Sequence, residues 1–346
     1  MPAMRTTLLC KLAPILLAPY LLVQFAQAAQ SPHRVSLALV QQTTQAPQTQ
    51  TPQSKAPPPL AEMQQGRELI YQGKLDEALR RFEKISTDYP RSPAGDFYQI
   101  VTLIWKSRID AKLDAGTREF DAKIESILDS VNTKAEALRA APDHSIQDEN
   151  DALYFLGSAA ATRARISLYQ NHGLPAAKQA RLAEDLFEEL IKRDPEYYDA
   201  YYAPGAIYYA VGMLTDTALA KVVVNMLGPK ALPAGDIEKG RSYLSKAAQN
   251  APLANIDAKL ALLEIYALNE NRFDLALPIA VELRSKYPAN QVFTRYLMKV
   301  YSGLNDRKRL SEICKEVLGW VKEGRPYYGS FMKAEVDRYL AEAGDK

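Results

Sequence analysis

Along residues 74 to 90, KLDEALRRFEKISTDYP, apolar side chains return at Leu75, Ala78, Leu79, Phe82 and Ile85. Steps of three and one residue place them on one face of a helix, with Arg80, Arg81, Glu83 and Lys84 on the others. Asp88 to Pro90 ends the element, since proline cannot continue the helical hydrogen-bond ladder. The frame then recurs: a small residue, an apolar one four positions on, and a proline twelve positions on. It is met at Ala78, Phe82 and Pro90, and again at Ala183, Phe187 and Pro195. Two further copies run through Gly240, Leu244 and Pro252, and through Ala276, Ala280 and Pro288. These last two lie 36 residues apart, close to the period of a helix–turn–helix array. Upstream stand Gly66 with Leu69, Gly157 with Ala160, and Gly205 with Tyr208. Small residues let paired helices approach, and the larger apolar residue of the frame fills the groove between them.

The first copy, residues 59 to 92, carries Gly66, Leu69, Gly73, Ala78, Phe82 and Pro90 without gaps. In these positions the chain resembles the tetratricopeptide repeat proteins, and the resemblance covers most of residues 59 to 322. It implies an all-α fold, an α-solenoid of antiparallel helix pairs whose first helices line a concave groove. The array departs from regularity. Glycine to small residue spans 12 positions in the first repeat, 26 from Gly157 to Ala183 and 35 from Gly205 to Gly240. Residues 111 to 141 read as one long helix that fits the pattern poorly, and Leu310 and Cys314 take the packing positions of the last repeat. A helix around Tyr327 to Ala343 caps the stack, giving about fourteen helices and no strand pattern. Glycine-aspartate segments such as LPAGDIEKGRSYLSKA resemble, more loosely, the periplasmic T-component proteins of TRAP transporters.

The ends of the chain follow other rules. Arg5 and Lys11 precede the apolar run LAPILLAPYLLVQFA, and Ala26-Gln27-Ala28 is a small-x-small cleavage signature. Residues 1–28 are therefore expected to be a signal peptide, with a retained anchor as the alternative and a transit peptide as a weaker one. Pro14 and Pro19 and the shortness of the run argue against a stable membrane span. Residues 29–59, rich in Gln, Thr and Pro, cannot bury enough surface to offset their ordering entropy and are expected to form a flexible tether. The repeat domain occupies 60–346. The expected location is periplasmic or extracellular, associated with the envelope if the leader is retained.

Charge narrows the partner. The 43 basic and 41 acidic residues become equal in number once Arg5 and Lys11 leave with the signal. Nucleic acid needs a positive excess, so no nucleic-acid partner is expected, and membrane contact at most peripheral. Cys10 leaves too, so Cys314 has no cysteine with which to pair, and its place on an apolar helix face points to core packing. The three histidines, His33, His144 and His172, fall in the tether and presumed loops without metal-ligand spacing. No phosphate loop, nucleophile elbow or zinc-protease helix occurs. The reading is a non-enzymatic protein with no catalytic residues, no metal and no cofactor.

Candidate binding residues come from the tyrosines. PEYYDAYYAPGAIYYA holds Tyr197, Tyr198, Tyr201, Tyr202, Tyr208 and Tyr209. On a helix Tyr201, Gly205 and Tyr208 share a core face, while Tyr202, Ala206 and Tyr209 share the neighbouring one, with Pro204 expected to kink or delay the helix. By the resemblance that second face lines the groove, where tyrosine's broad ring and polar tip suit recognition. Tyr202 and Tyr209 should then be partly exposed; a tyrosine-rich core is the alternative. The same carry-over places Asp151, Tyr154 and Ser158 on the groove face of the repeat beginning near Asn150, and Val292, Arg295 and Lys299 there in the last one. In the insertion 215–236 an apolar stripe of Leu219, Val222, Val223, Met226 and Leu227 packs on the solenoid, covers the groove or docks a partner or, as the weakest option, a membrane. The expected function is a scaffold that takes a protein or peptide partner in its groove. The alternative is a periplasmic small-ligand-binding subunit of a transport system. An open groove along the stack favours the first and an enclosed apolar pocket of a few hundred cubic ångströms the second.

Overall fold

The apolar stripes read above fold as antiparallel helix pairs. The computed structural model describes residues 57–109, 117–215 and 233–343, and among these residues there are thirteen α-helices and no strand. The segment read as a signal peptide, most of the one read as a tether, and the stripe from Leu219 to Leu227 lie outside the described residues. Helices α1 (Leu60–Tyr71) and α2 (Leu75–Asp88) form the first pair, α3 (Ala94–Ser107) and α4 (Arg118–Ala140) the second. Next come α5 (Ile146–Tyr169) with α6 (Gly173–Arg193), and α7 (Tyr202–Thr215) with α8 (Ile237–Asn250). Then α9 (Asn255–Glu264) pairs with α10 (Phe273–Lys286), and α11 (Gln291–Gly303) with α12 (Arg307–Lys322); α13 (Ser330–Ala343) packs on α12. Each helix packs mainly on its neighbours in sequence, the arrangement of an all-α helical solenoid.

Tight turns inside the pairs share one device. Gly73, Asn171, Asn271 and Asn305 all have positive φ, between 52° and 77°. Glycine and asparagine adopt this left-handed conformation most readily, and it lets the helix end bond back on itself. The N–H of Lys74 reaches Leu69 O at 2.9 Å, that of His172 reaches Ser167 O at 2.7 Å, and that of Asp306 reaches Tyr301 O at 2.9 Å. After α9 the return from Arg272 N to Tyr266 O spans one residue more, because a π-turn, Ile265–Asn269, is inserted before it.

Between the paired helices the small-against-large logic is met directly. A methyl group at Gly66 would run into the ring of Phe82, and one at Gly157 would stand 3.0 Å from the ring of Phe187. Both phenylalanines are fully buried. Leu244 fills the corresponding place against Gly205, and Leu310 and Cys314 are buried in the last pair. Pro204 delays its helix instead of kinking it. Residues Tyr198–Tyr201 form a 3₁₀ turn and α7 starts at Tyr202, so the proline sits in the first turn, where no N–H is needed.

The stack does not run straight. Its first helix meets the ninth to eleventh across about 180 to 220 residues of sequence. On α1, Arg67 Nε donates to Leu253 O (3.1 Å), Tyr71 OH donates to Asp257 Oδ2 (2.9 Å), and Glu68 accepts from Tyr287 OH (3.0 Å). Asn290 donates to Tyr71 O at 2.8 Å while its own carbonyl caps α11. From α3, Trp105 Nε1 donates to Asp257 Oδ1 (3.0 Å) and Arg108 pairs with Glu264 (3.1 Å). This seam bends the solenoid back upon itself.

Candidate functional site

Bending brings the inner sides of α1, α3, α5, α7 and α9 around a common cavity of about 330 Å³. Its walls are mostly apolar: Val101 and Ile104 from α3, Ala161 and Leu168 from α5, Ile207 and Val211 from α7, and Leu260 and Ala261 from α9. Alanines 176, 177 and 180 of α6 leave room that larger side chains would fill.

Polar groups collect at two levels. Toward the start of α3 lie Arg67, Tyr98, Tyr154, Asp199 and Asp257. Arg67 Nη2 is bound by Tyr71 OH and Asp257, whereas Nη1 is buried with no partner among the described residues. The Tyr98 hydroxyl is likewise buried without one. Burial pushes the phenols of Tyr98 and Tyr154 upward, so both are neutral hydrogen-bonding groups at ordinary pH. Asp199 Oδ1 accepts from Leu253 N (3.0 Å) and Ala254 N (2.7 Å), which ties the 3₁₀ turn to the start of α9. Burial raises the pKa of its carboxyl despite those two donors.

Toward the end of α3 lie Arg108, Arg165, Tyr169 and Glu264. Glu264 accepts from Arg108 (3.1 Å) and from Tyr296 OH (2.8 Å). Arg165 Nη2 donates to Tyr169 OH at 3.2 Å, with its guanidinium over that ring. Tyr202 reaches in from the start of α7. Burial raises its pKa, opposed by Arg108 and Arg165.

The sequence-predicted residues divide. Tyr202, Tyr154 and Ser158 line the cavity; Asp151, Tyr209, Arg295 and Lys299 do not. Tyr209 is a correction: it is fully buried, not partly exposed, and its hydroxyl donates to Glu270 Oε1 (3.2 Å). The cause is Gly240, which has no Cβ and so lets α8 close directly over the Tyr209 backbone. Tyr201 and Tyr208 are buried as expected, and Tyr202 is half-buried. Asp151 accepts from Tyr197 OH at 3.0 Å, burial raising its carboxyl pKa. Val292 is buried, Arg295 is paired with Glu335 of α13 (2.7 Å), and Lys299 is half-buried away from the cavity. Sequence reasoning missed Arg67, Arg108 and Arg165. Arg108 and Arg165 follow the helical spacing of the lining residues before them and Arg67 lines the cavity alone from α1, but a single charged residue reads as solvated surface.

Among the described residues no group of three His, Cys, Asp or Glu could hold a metal ion, and no helix is long and apolar enough to cross a membrane. No family model matches the chain, and no curated protein matches it.

Proposed function

We propose that this is an extracytoplasmic helical-repeat protein whose task is to hold a small, largely apolar molecule inside its bent solenoid. One observation carries the reading: the cavity of about 330 Å³, walled by apolar residues of successive repeats and set with a few fixed polar groups. Its volume and composition are those of small-molecule sites, which run from about 300 to 1,000 Å³. A peptide groove of the repeat type needs an inner face open from end to end, and the seam from Arg67 to Asp257 crosses that face.

Nile red, a neutral dye that brightens in apolar surroundings, tests this. Saturable binding of one dye per chain is expected, with energy transfer from Trp105 in the wall. Ala210→Trp, which fills the cavity from α7, should weaken binding by at least about tenfold while the thermal melt remains cooperative. Undiminished dye binding in that folded variant would overturn the assignment.

A further inference from the structure

The charges around the cavity do not cancel locally. Of its three arginines, Arg67 is paired with Asp257 and Arg108 with Glu264. Arginine cannot shed its proton in a protein, so the third, Arg165, is a permanent cation. Among the described residues its one close polar partner is the Tyr169 hydroxyl at 3.2 Å, and none of their carboxylates pairs with it. The remaining acid, Asp199, is at the other level of the cavity, its Oδ1 occupied by two backbone N–H groups. Along α5, Tyr154 at that level and Arg165 are eleven residues apart, roughly 16 Å at the helical rise. Between them the lining is Ser158, Ala161, Ala164 and the half-buried Thr162, whose hydroxyl is turned back onto Ser158 O (2.8 Å).

Resting on the pocket reading above, we infer that the ligand is a small apolar monoanion, a carboxylate, whose charged group is held by Arg165 between Tyr169 and Tyr202. A guanidinium takes a carboxylate through two parallel N–H···O bonds, and such charge-assisted pairs are stronger than neutral ones. Tyr202, which lines the same end of the cavity, carries a hydroxyl that can donate to the carboxylate, and Arg108 adds a second positive field already steadied by Glu264. Leu168, Val211 and Leu214 provide the apolar surround for the rest of the molecule. Removal of that surround from water supplies affinity, and Arg165 supplies the preference for negative charge.

The experiment is displacement of Nile red from the full chain by three ligands of equal length: decanoate, decanol and decylamine. Decanoate should displace the dye at concentrations at least about tenfold lower than decanol, with decylamine weakest. Arg165→Met should bring decanoate to the level of decanol and leave decanol unchanged. Arg165→Lys should retain part of the preference, since a point charge replaces the fork. Equal displacement by decanoate and decanol would overturn the anion inference while leaving the pocket reading intact. Preference for decylamine would overturn it in favour of Asp199 as an ammonium site. A decanoate preference surviving in Arg165→Met would overturn the residue assignment. Failure of the dye itself to bind would remove the pocket reading, and this inference with it.

Discussion

Two contacts hold this solenoid by opposite means. Phe187 against Gly157 is apolar, fully buried and made between helices adjacent in sequence. The seam of Arg67, Tyr71 and Trp105 around Asp257 is polar, ordered by hydrogen bonds, and made between residues more than 150 positions apart. The first kind fixes each helix pair and depends only on which residues sit at a short spacing. The second fixes the bend of the whole stack and thereby creates the cavity. A repeat protein that stacks neighbour on neighbour is nearly one-dimensional in its energetics, and a seam of this kind couples its far parts. Fold and site therefore rest on different residues.

The largest effect is expected where the local contact is removed. Phe187→Ala leaves a hole beside Gly157 and should cost about 3–5 kcal/mol in a denaturant melt. Hydrogen exchange in the variant should rise first in α5 and α6, because each pair packs chiefly on its neighbours. Somewhat smaller, about 3 kcal/mol, is the expected cost of Asp257→Ala, which leaves the guanidinium of Arg67 buried without its counter-ion. Here exchange should rise at both ends of the seam, in α1, α3 and α9, with α5 and α6 unchanged. If the two variants gave the same exchange pattern, the distinction drawn above would fail. Arg67→Met combined with Asp257→Leu sharpens it: replacing a buried pair by apolar groups should recover most of the loss.

The same division explains what was legible in the sequence. The glycines at 66 and 157 and the phenylalanines at 82 and 187 announce helix pairs because a 3.6-residue period and a missing side chain are local signals. The turn signal was there as well: Asn171, Asn271 and Asn305 stand where the first repeat has Gly73, and asparagine tolerates positive φ. The seam gives no such sign. Nothing local to Trp105 or Asp257 says that they meet, since that depends on the accumulated rotation of three helix pairs. Tyr209 shows the reverse failure. Its face was read correctly as adjacent to the core face, but the close approach at Gly240 covers it as well. Tyr202, seven residues earlier and on the same face, escapes because the cavity and not α8 lies in front of it.

The smallest of these effects is a dependence on pH that the apolar contact cannot share. Tyr71 at the seam has its phenol pushed up to about 12, chiefly by burial, against an opposing pull from Arg67. At pH 9 folded and unfolded chains both keep this proton, so it contributes no slope. Above the ordinary value of 10 the unfolded chain releases it first, the folded chain binds more protons, and stability falls as pH rises. At about 1.4 kcal/mol per pH unit, the loss from this group by pH 11 is about 1 kcal/mol. Tyr71→Phe lacks the proton and so lacks this part of the slope, though it starts lower because it loses the bond to Asp257. Other buried tyrosines titrate in both proteins, and the comparison cancels them. The stability gap between wild type and Tyr71→Phe in urea melts should therefore narrow by about 1 kcal/mol from pH 9 to pH 11. Phe187→Ala should keep a constant gap to wild type over the same range, because no group that titrates there is removed. A gap for Tyr71→Phe that stayed constant would mean that its phenol is not held in the buried seam. The bend of the stack would then rest on the seam contacts that do not use it, Arg67 and Trp105 with Asp257 and Arg108 with Glu264.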